Sequence, residues 1–183
     1  MSDLFFGTPE RREQAKEITH GLNYGRGARS IAQQTGLPVI EVEEMMERYA
    51  GTFPGVAAWQ DYVRAQGKAG RRLESGTGRL LNSDPDRSFT TSPSRAAQAC
   101  ARDLFMTGVF RLGDYGLSSR VRLLLHDEVI LSVPEPAIQN AGRELIEAMS
   151  FNWPSPSGLV IPIAAHAAEG YGPRWSDLYK QRP

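Results

Sequence analysis

Cysteine is almost missing: Cys100 is the only one in 183 residues. That excludes a disulfide framework and any zinc site built on several cysteines. Long apolar runs are missing too. None approaches the roughly 20 residues that a membrane-crossing helix needs, so no membrane partner is expected. The apolar triplet Leu4-Phe5-Phe6 is too short for a secretory leader, and charged residues follow it. These lacks together point to a reducing cytoplasm. Net charge is the fourth lack. Twenty-one Lys and Arg balance 21 Asp and Glu, giving a net charge of zero and a pI near 6.8. A dedicated nucleic-acid-binding domain is usually basic, so bulk charge alone does not point there. No internal repeat or low-complexity stretch is present.

The remaining composition, 40% apolar and 23% charged, is that of an ordinary folded chain with a real core. Residues 1–7 read as a loose lead-in. Thr8-Pro9-Glu10 reads as a helix start, with a capping hydroxyl, a proline suited to the first turn and an acid beside the helix N-terminus. That helix is expected to run to about Tyr24, where Gly25 to Gly27 end it. A second helix is expected over 28–35 and a third over 38–50. A further helix restarts after Phe53-Pro54-Gly55, with Val56, Trp59, Tyr62 and Val63 on one face. Residues 67–93 read as loop-rich, and Ser92-Pro93 as the start of a helix over 94–112. Val121 to Leu125 and Val129 to Val133 form two apolar runs around His126-Asp127-Glu128, the pattern of a hairpin. A helix over 135–150, a strand over Leu159 to Ile163 and a short tail helix with Trp175 and Tyr179 complete the pattern. The class is α+β: a helical region over 1–66, then a region over 67–183 with a small antiparallel sheet.

Two clusters of residues carry chemistry. Arg12, Lys16, His20 and Tyr24 stand four apart, so neighbours differ by about 40° and the set makes one slowly winding stripe about 18 Å long. Two cations at one end suit phosphates, the arginine bidentately and the lysine as a point charge. The rings at the other end suit a sugar or base. Gly21 and Gly25 directly follow the rings and open space beside them. By spacing alone the stripe reads first as a solvated basic face ending in a capping glycine. The second cluster is the hairpin triplet. Asp127 at a turn offers oxygen to a hard divalent cation, and Glu128 adds negative potential. The plain alternative is a solvated polar turn.

Arg12-x-x-x-Lys16-x-x-x-His20-Gly21-x-x-Tyr24-Gly25 resembles the fingers motif of family A DNA polymerases, R-x-x-x-K-x-x-x-(F/Y)-G-x-x-Y-G. Leu124-Leu125-His126-Asp127-Glu128-Val129 resembles the H-D-E palm motif of the same family, in the same order. Phe53-Pro54-Gly55-Val56, Gly78-Arg79, Gln98, Asp103, Ile161-Pro162-Ile163 and Trp175 resemble further family segments, so the likeness covers about residues 9–180. It implies a fingers subdomain followed by part of a palm. It implies that Arg12 and Lys16 contact the incoming dNTP, that His20 packs near its sugar and that Tyr24 gates the template position. It implies catalytic roles for Asp127, Glu128 and Lys16, with Asp127 as a Mg²⁺ ligand and two ions in the complete site. It implies that His126, Gln98, Gly25 and Arg79 contact the primer-template.

The chain departs from the family at named places. His20 stands where the family has phenylalanine or tyrosine. Thr90, Ser94, Ala96, Gln98 and Ala99 stand where it has R-x-x-x-N-x-P-x-Q-G. The family's D-Y-S-x-x-E aspartate motif, placed before the fingers, is not found. Asp61-Tyr62 and Asp114-Tyr115 share two of its letters but fall in the wrong order. The resemblance therefore implies the C-terminal part of a DNA-directed DNA polymerase. The isolated chain is expected to be inactive until a second polypeptide supplies the missing palm aspartate and the thumb. The alternative is a non-catalytic module that binds nucleotide or primer-template.

Overall fold

The structure, a computed structural model, describes residues 1–7 and 11–170. The expected helix start at Thr8-Pro9-Glu10 and the tail with Trp175 and Tyr179 lie outside them. The chain divides into two compact units, one ending at Ala99 and the other beginning at Cys100.

The first unit is helical. It holds α1 (Ser2–Phe6), α2 (Arg12–Asn23), α3 (Ala28–Thr35), α4 (Val39–Thr52) and α5 (Pro54–Lys68). Ala15, Ile18 and Leu22 of α2 lie three or four residues apart and are buried against Ile31 and Ala32 of α3 and Val42, Met45 and Tyr49 of α4. Residues 1–7 are not a loose lead-in. They form α1, because Phe5 inserts into this core with its ring 6.3 Å from that of Tyr49. Gly36 ends α3 with a left-handed φ of 73°. On α5 the buried positions are Gln60, Val63 and Gly67. Trp59 and Tyr62 are exposed, so the expected apolar face is rotated toward a polar residue with a specific partner, described below.

Residues 67–93 are more regular than expected. Leu73–Glu74 (β1) and Leu80–Leu81 (β2) pair as a small antiparallel ladder around a turn at Gly78. The Asp84 side chain then accepts from the Asp86 N–H and starts a single 3₁₀ turn over Pro85–Arg87. That turn feeds straight into α6 (Ser88–Arg111), which begins before Pro93 and carries it as an interior residue. A proline inside a helix removes one N–H and leaves the carbonyl four residues earlier without its helical donor. Here that carbonyl belongs to Phe89, and the Arg64 Nε donates to it at 3.1 Å.

The second unit takes the later part of α6, the hairpin β3 (Val121–Leu125) and β4 (Glu128–Leu131), α7 (Ile138–Met149), and a second hairpin of β5 (Phe151–Pro154) and β6 (Val160–Ile163). Its core gathers Leu112, Leu117, Ala141, Ala148 and Met149, with Val121, Val129 and Leu131 of the first hairpin packed on it. Pro162 pairs with Asn152 on a two-stranded ladder, where an edge strand tolerates a missing donor. The observed architecture is the expected α+β.

Candidate nucleotide and duplex site

The motif stripe lies on the face of α2 turned from its core. Arg12, Lys16 and His20 are exposed and Tyr24 is half-buried. Arg12 sits 3.3 Å from Glu13, and both side chains remain largely in solvent. Such a pair contributes little and is easily exchanged for a stronger anion. The rings of His20 and Tyr24 lie 4.4 Å apart, centroid to centroid, at 59°. The stripe is thus a loose cationic end followed by a paired aromatic end.

The aromatic end faces α6. His20, Tyr24, Arg26, Thr90, Ser94 and Gln98 line a shallow hollow of about 390 Å³. The structure therefore brings three of the expected residues together: His20 and Tyr24 with Gln98, which lies more than 70 positions further along the chain. Arg26, Thr90 and Ser94 are lining residues that motif reading did not single out as a site. The Ser94 O–H is taken up by the Thr90 and Thr91 carbonyls, at 3.2 and 3.1 Å, so toward a ligand this hydroxyl acts as an acceptor. The guanidinium of Arg26 donates to Gln34.

The two motif glycines do not stand beside open space. A Cβ on Gly21 would meet Ile31 at 3.0 Å, so this glycine allows α3 to close on α2. Gly25 takes a left-handed φ of 73°, and a Cβ there would sit 3.0 Å from the Phe89 carbonyl oxygen and 3.1 Å from the Arg64 guanidinium. The close approach these glycines permit is to the protein's own α3, α5 and α6.

The end of α2 is held from behind. The Gln60 amide donates to the Leu22 carbonyl at 2.8 Å, satisfying a group that a helix end leaves open. The Tyr49 hydroxyl donates to Asn23 Oδ1 at 2.7 Å. Burial pushes the Tyr49 hydroxyl above its ordinary pKa of 10.0, with the bond to Asn23 pulling more weakly the other way. No motif spells out these supports. A buried glutamine at a core position of α5 was the one available signal.

Arg79 is exposed and closes the β1–β2 turn, its N–H donating to Ser75 Oγ at 3.1 Å. In the second unit the triplet sits at the tip of the β3–β4 hairpin. Leu125 pairs with Glu128, which leaves His126 and Asp127 as a two-residue turn. His126 and Asp127 are exposed, and Glu128 is half-buried as the first residue of β4. His126 has a φ of 53°, unusual for a residue with a side chain. The donors here are oxygens, the right type for a hard cation. Among the described residues no group of three or more His, Cys, Asp or Glu side chains gathers to hold a metal ion. Asp127 by itself is a single exposed carboxylate at the hairpin tip.

Comparison with known proteins accounts for this combination of an aromatic-ended cationic helix and an acidic hairpin. The chain belongs to DNA polymerase family A, whose model matches residues 6–177. A DNA polymerase of Mycobacterium phage D29 is 28% identical over 142 residues, 78% of this chain and 23% of that protein. DNA polymerase I of Pseudomonas aeruginosa is 28% identical over 95% of this chain and 20% of its own length. The thermostable DNA polymerase I of Thermus filiformis is 30% identical over 88% of this chain, again 20% of its length. The chain thus spans about a fifth of these relatives. Among solved structures, the polymerase domain of Pol1 from M. smegmatis, in complex with DNA primer-template and dNTP, superposes with a TM-score of 0.71 at 25% identity. The superposition covers 94% of this chain and 32% of that domain. Among the described residues no helix is long and apolar enough to cross a membrane.

Proposed function

We propose that the chain supplies the fingers and part of the palm of a template-directed DNA polymerase, with residues 1–66 as the fingers-like and 67–183 as the palm-like region. One observation carries the reading: His20 and Tyr24 from the fingers motif and Gln98 from a distant segment line one hollow. Arg12 and Lys16 grip the triphosphate of a dNTP, because two exposed cations one turn apart match its phosphate oxygens. His20 packs on the sugar and Tyr24 closes the template-base position. Gln98 and His126 donate to the primer-template and Arg79 contacts its backbone, while the buried Gly25 serves by seating Tyr24 against α6. Asp127 offers a carboxylate oxygen to Mg²⁺, and Glu128 strengthens the negative field there. Bound magnesium would lower the charge barrier between the primer 3′ oxygen and the triphosphate. This chain's own residues orient the nucleotide and hold the phosphates.

A second palm aspartate comes from a further polypeptide or segment. Mixing the chain with a polypeptide that carries that aspartate and a thumb, plus primer-template, dNTPs and Mg²⁺, should give primer extension, and Lys16→Ala should weaken dNTP use by about tenfold or more, the loss expected for a charge-assisted phosphate contact. A stable complex that never extends primer would overturn the polymerase reading. If dNTP binding persists in that complex and still depends on Lys16, the chain is a nucleotide-binding module.

A further inference from the structure

Arg64 is a residue that neither motif contains, yet it bridges α5 to α6 beside the end of α2. Its Nε donates to the Phe89 carbonyl at 3.1 Å. One terminal nitrogen lies 3.5 Å from Gln60 Oε1, and Gln60 in turn donates to the Leu22 carbonyl. The other terminal nitrogen lies 3.2 Å from Asp61. Its guanidinium carbon sits 4.6 Å over the Phe89 ring. The Phe89 carbonyl is the one that Pro93 deprives of a helical donor. Gly25, directly after Tyr24, closes onto that same carbonyl and that same guanidinium.

We infer that Arg64 is a positioning residue: it substitutes for the N–H that Pro93 lacks, and in doing so locks the Tyr24–Gly25 end of α2 against α6. The inference rests on the reading of Tyr24 as a template-position residue only for its functional consequence. The lock itself is a property of the fold. A side chain larger than hydrogen at residue 25 would push the two helices apart. Loss of Arg64 would leave the Phe89 carbonyl without a protein donor and free the last turn of α2.

A double-mutant cycle of Arg64→Leu and Pro93→Ala tests the lock on the whole chain. Hydrogen exchange is read at the amides of Tyr24, Gly25 and Arg26, which bond back into α2 at 3.1, 3.0 and 2.8 Å. Arg64→Leu should raise exchange at these three amides by about five- to tenfold, the worth of one hydrogen bond. Exchange within α3 should stay unchanged. In the Pro93→Ala background residue 93 donates to the Phe89 carbonyl itself, so the same arginine substitution should have a clearly smaller effect. Equal effects in both backgrounds, or faster exchange spread evenly through the unit, would overturn the proposal. Binding of a primer-template carrying a 5′ overhang, followed by fluorescence anisotropy, adds the functional arm. Arg64→Leu should weaken it, and Pro93→Ala should recover part of the loss. Coupled exchange with no duplex binding by the parent chain leaves the lock standing and counts against the polymerase reading instead.

Discussion

Single residues in this chain divide by what surrounds them rather than by type. Gly67 on α5 lies where a Cβ would fall 2.1 Å from Ser92 Oγ, with the Cβ atoms of Ser88 and Ser92 within 3.2 Å. Ser92 is buried, and its hydroxyl has no hydrogen-bond partner among the described atoms, so it has little room to turn away. Gly67→Ala should destabilise the chain by about 1–3 kcal/mol through overpacking. Gly142 inside α7 meets nothing within 4 Å, and Gly142→Ala should stabilise by up to about 1 kcal/mol from helix propensity alone. Urea denaturation of the two variants checks both signs at once. If Gly67→Ala leaves the midpoint unchanged or raises it, the close α5–α6 approach at Gly67 is wrong. The motif residues obey the same rule. Lys16 and His20 can be read from spacing because they are exposed and take no part in the α2 core. Gly21 misleads because its role lies in Ile31, ten residues away.

Elements were legible where burial follows a single period. α2, α3 and α4 present apolar residues three or four apart, and the β3–β4 hairpin shows two apolar runs around a polar turn. Elements fixed by distant partners were not. α1 exists because Phe5 fills the α2–α4 core. α6 passes its proline because Arg64, on another helix, satisfies the carbonyl left open. β5 has no apolar run of its own and is defined by pairing with β6. Of the site, both motifs were legible, whereas the supports behind α2 were not, since Tyr49 and Gln60 reach it from separate helices. The Tyr49 contact has a testable pH signature. A hydroxyl whose pKa is raised on folding favours its neutral form in the folded state, so the contribution is complete below pH 10.0 and is lost as pH climbs through the higher folded value. Stability followed by urea midpoint should therefore fall above about pH 10 in the parent chain and fall less steeply in Tyr49→Phe. Parallel curves for the two proteins would show that Tyr49 ionises freely in the folded state.

The whole molecule carries no net charge, so long-range attraction to a polyanion is weak and binding must come from local clusters. Arg11, Arg12, Lys16, Arg26 and Arg29 form such a cluster on the α2–α3 stretch. With Arg12 and Lys16 given to the dNTP, Arg11, Arg26 and Arg29 together with Arg79 are left for the duplex, and the logarithm of the binding constant should fall with the logarithm of salt at a slope no steeper than about −3.6, about 0.9 for each phosphate neutralised. Fluorescence anisotropy across a salt series measures it. A much steeper slope would mean that further cations grip the duplex as well.

The tip of the β3–β4 hairpin has a wider consequence. Its first residue, His126, holds a left-handed backbone at φ 53°, where two-residue hairpins favour glycine and a side chain costs on the order of 1 kcal/mol. Selection for foldability alone would drift that site toward glycine. His126→Gly should therefore relax the tip and raise stability by on the order of 1 kcal/mol, and on the role proposed for His126 that gain in robustness would come at the expense of duplex contact.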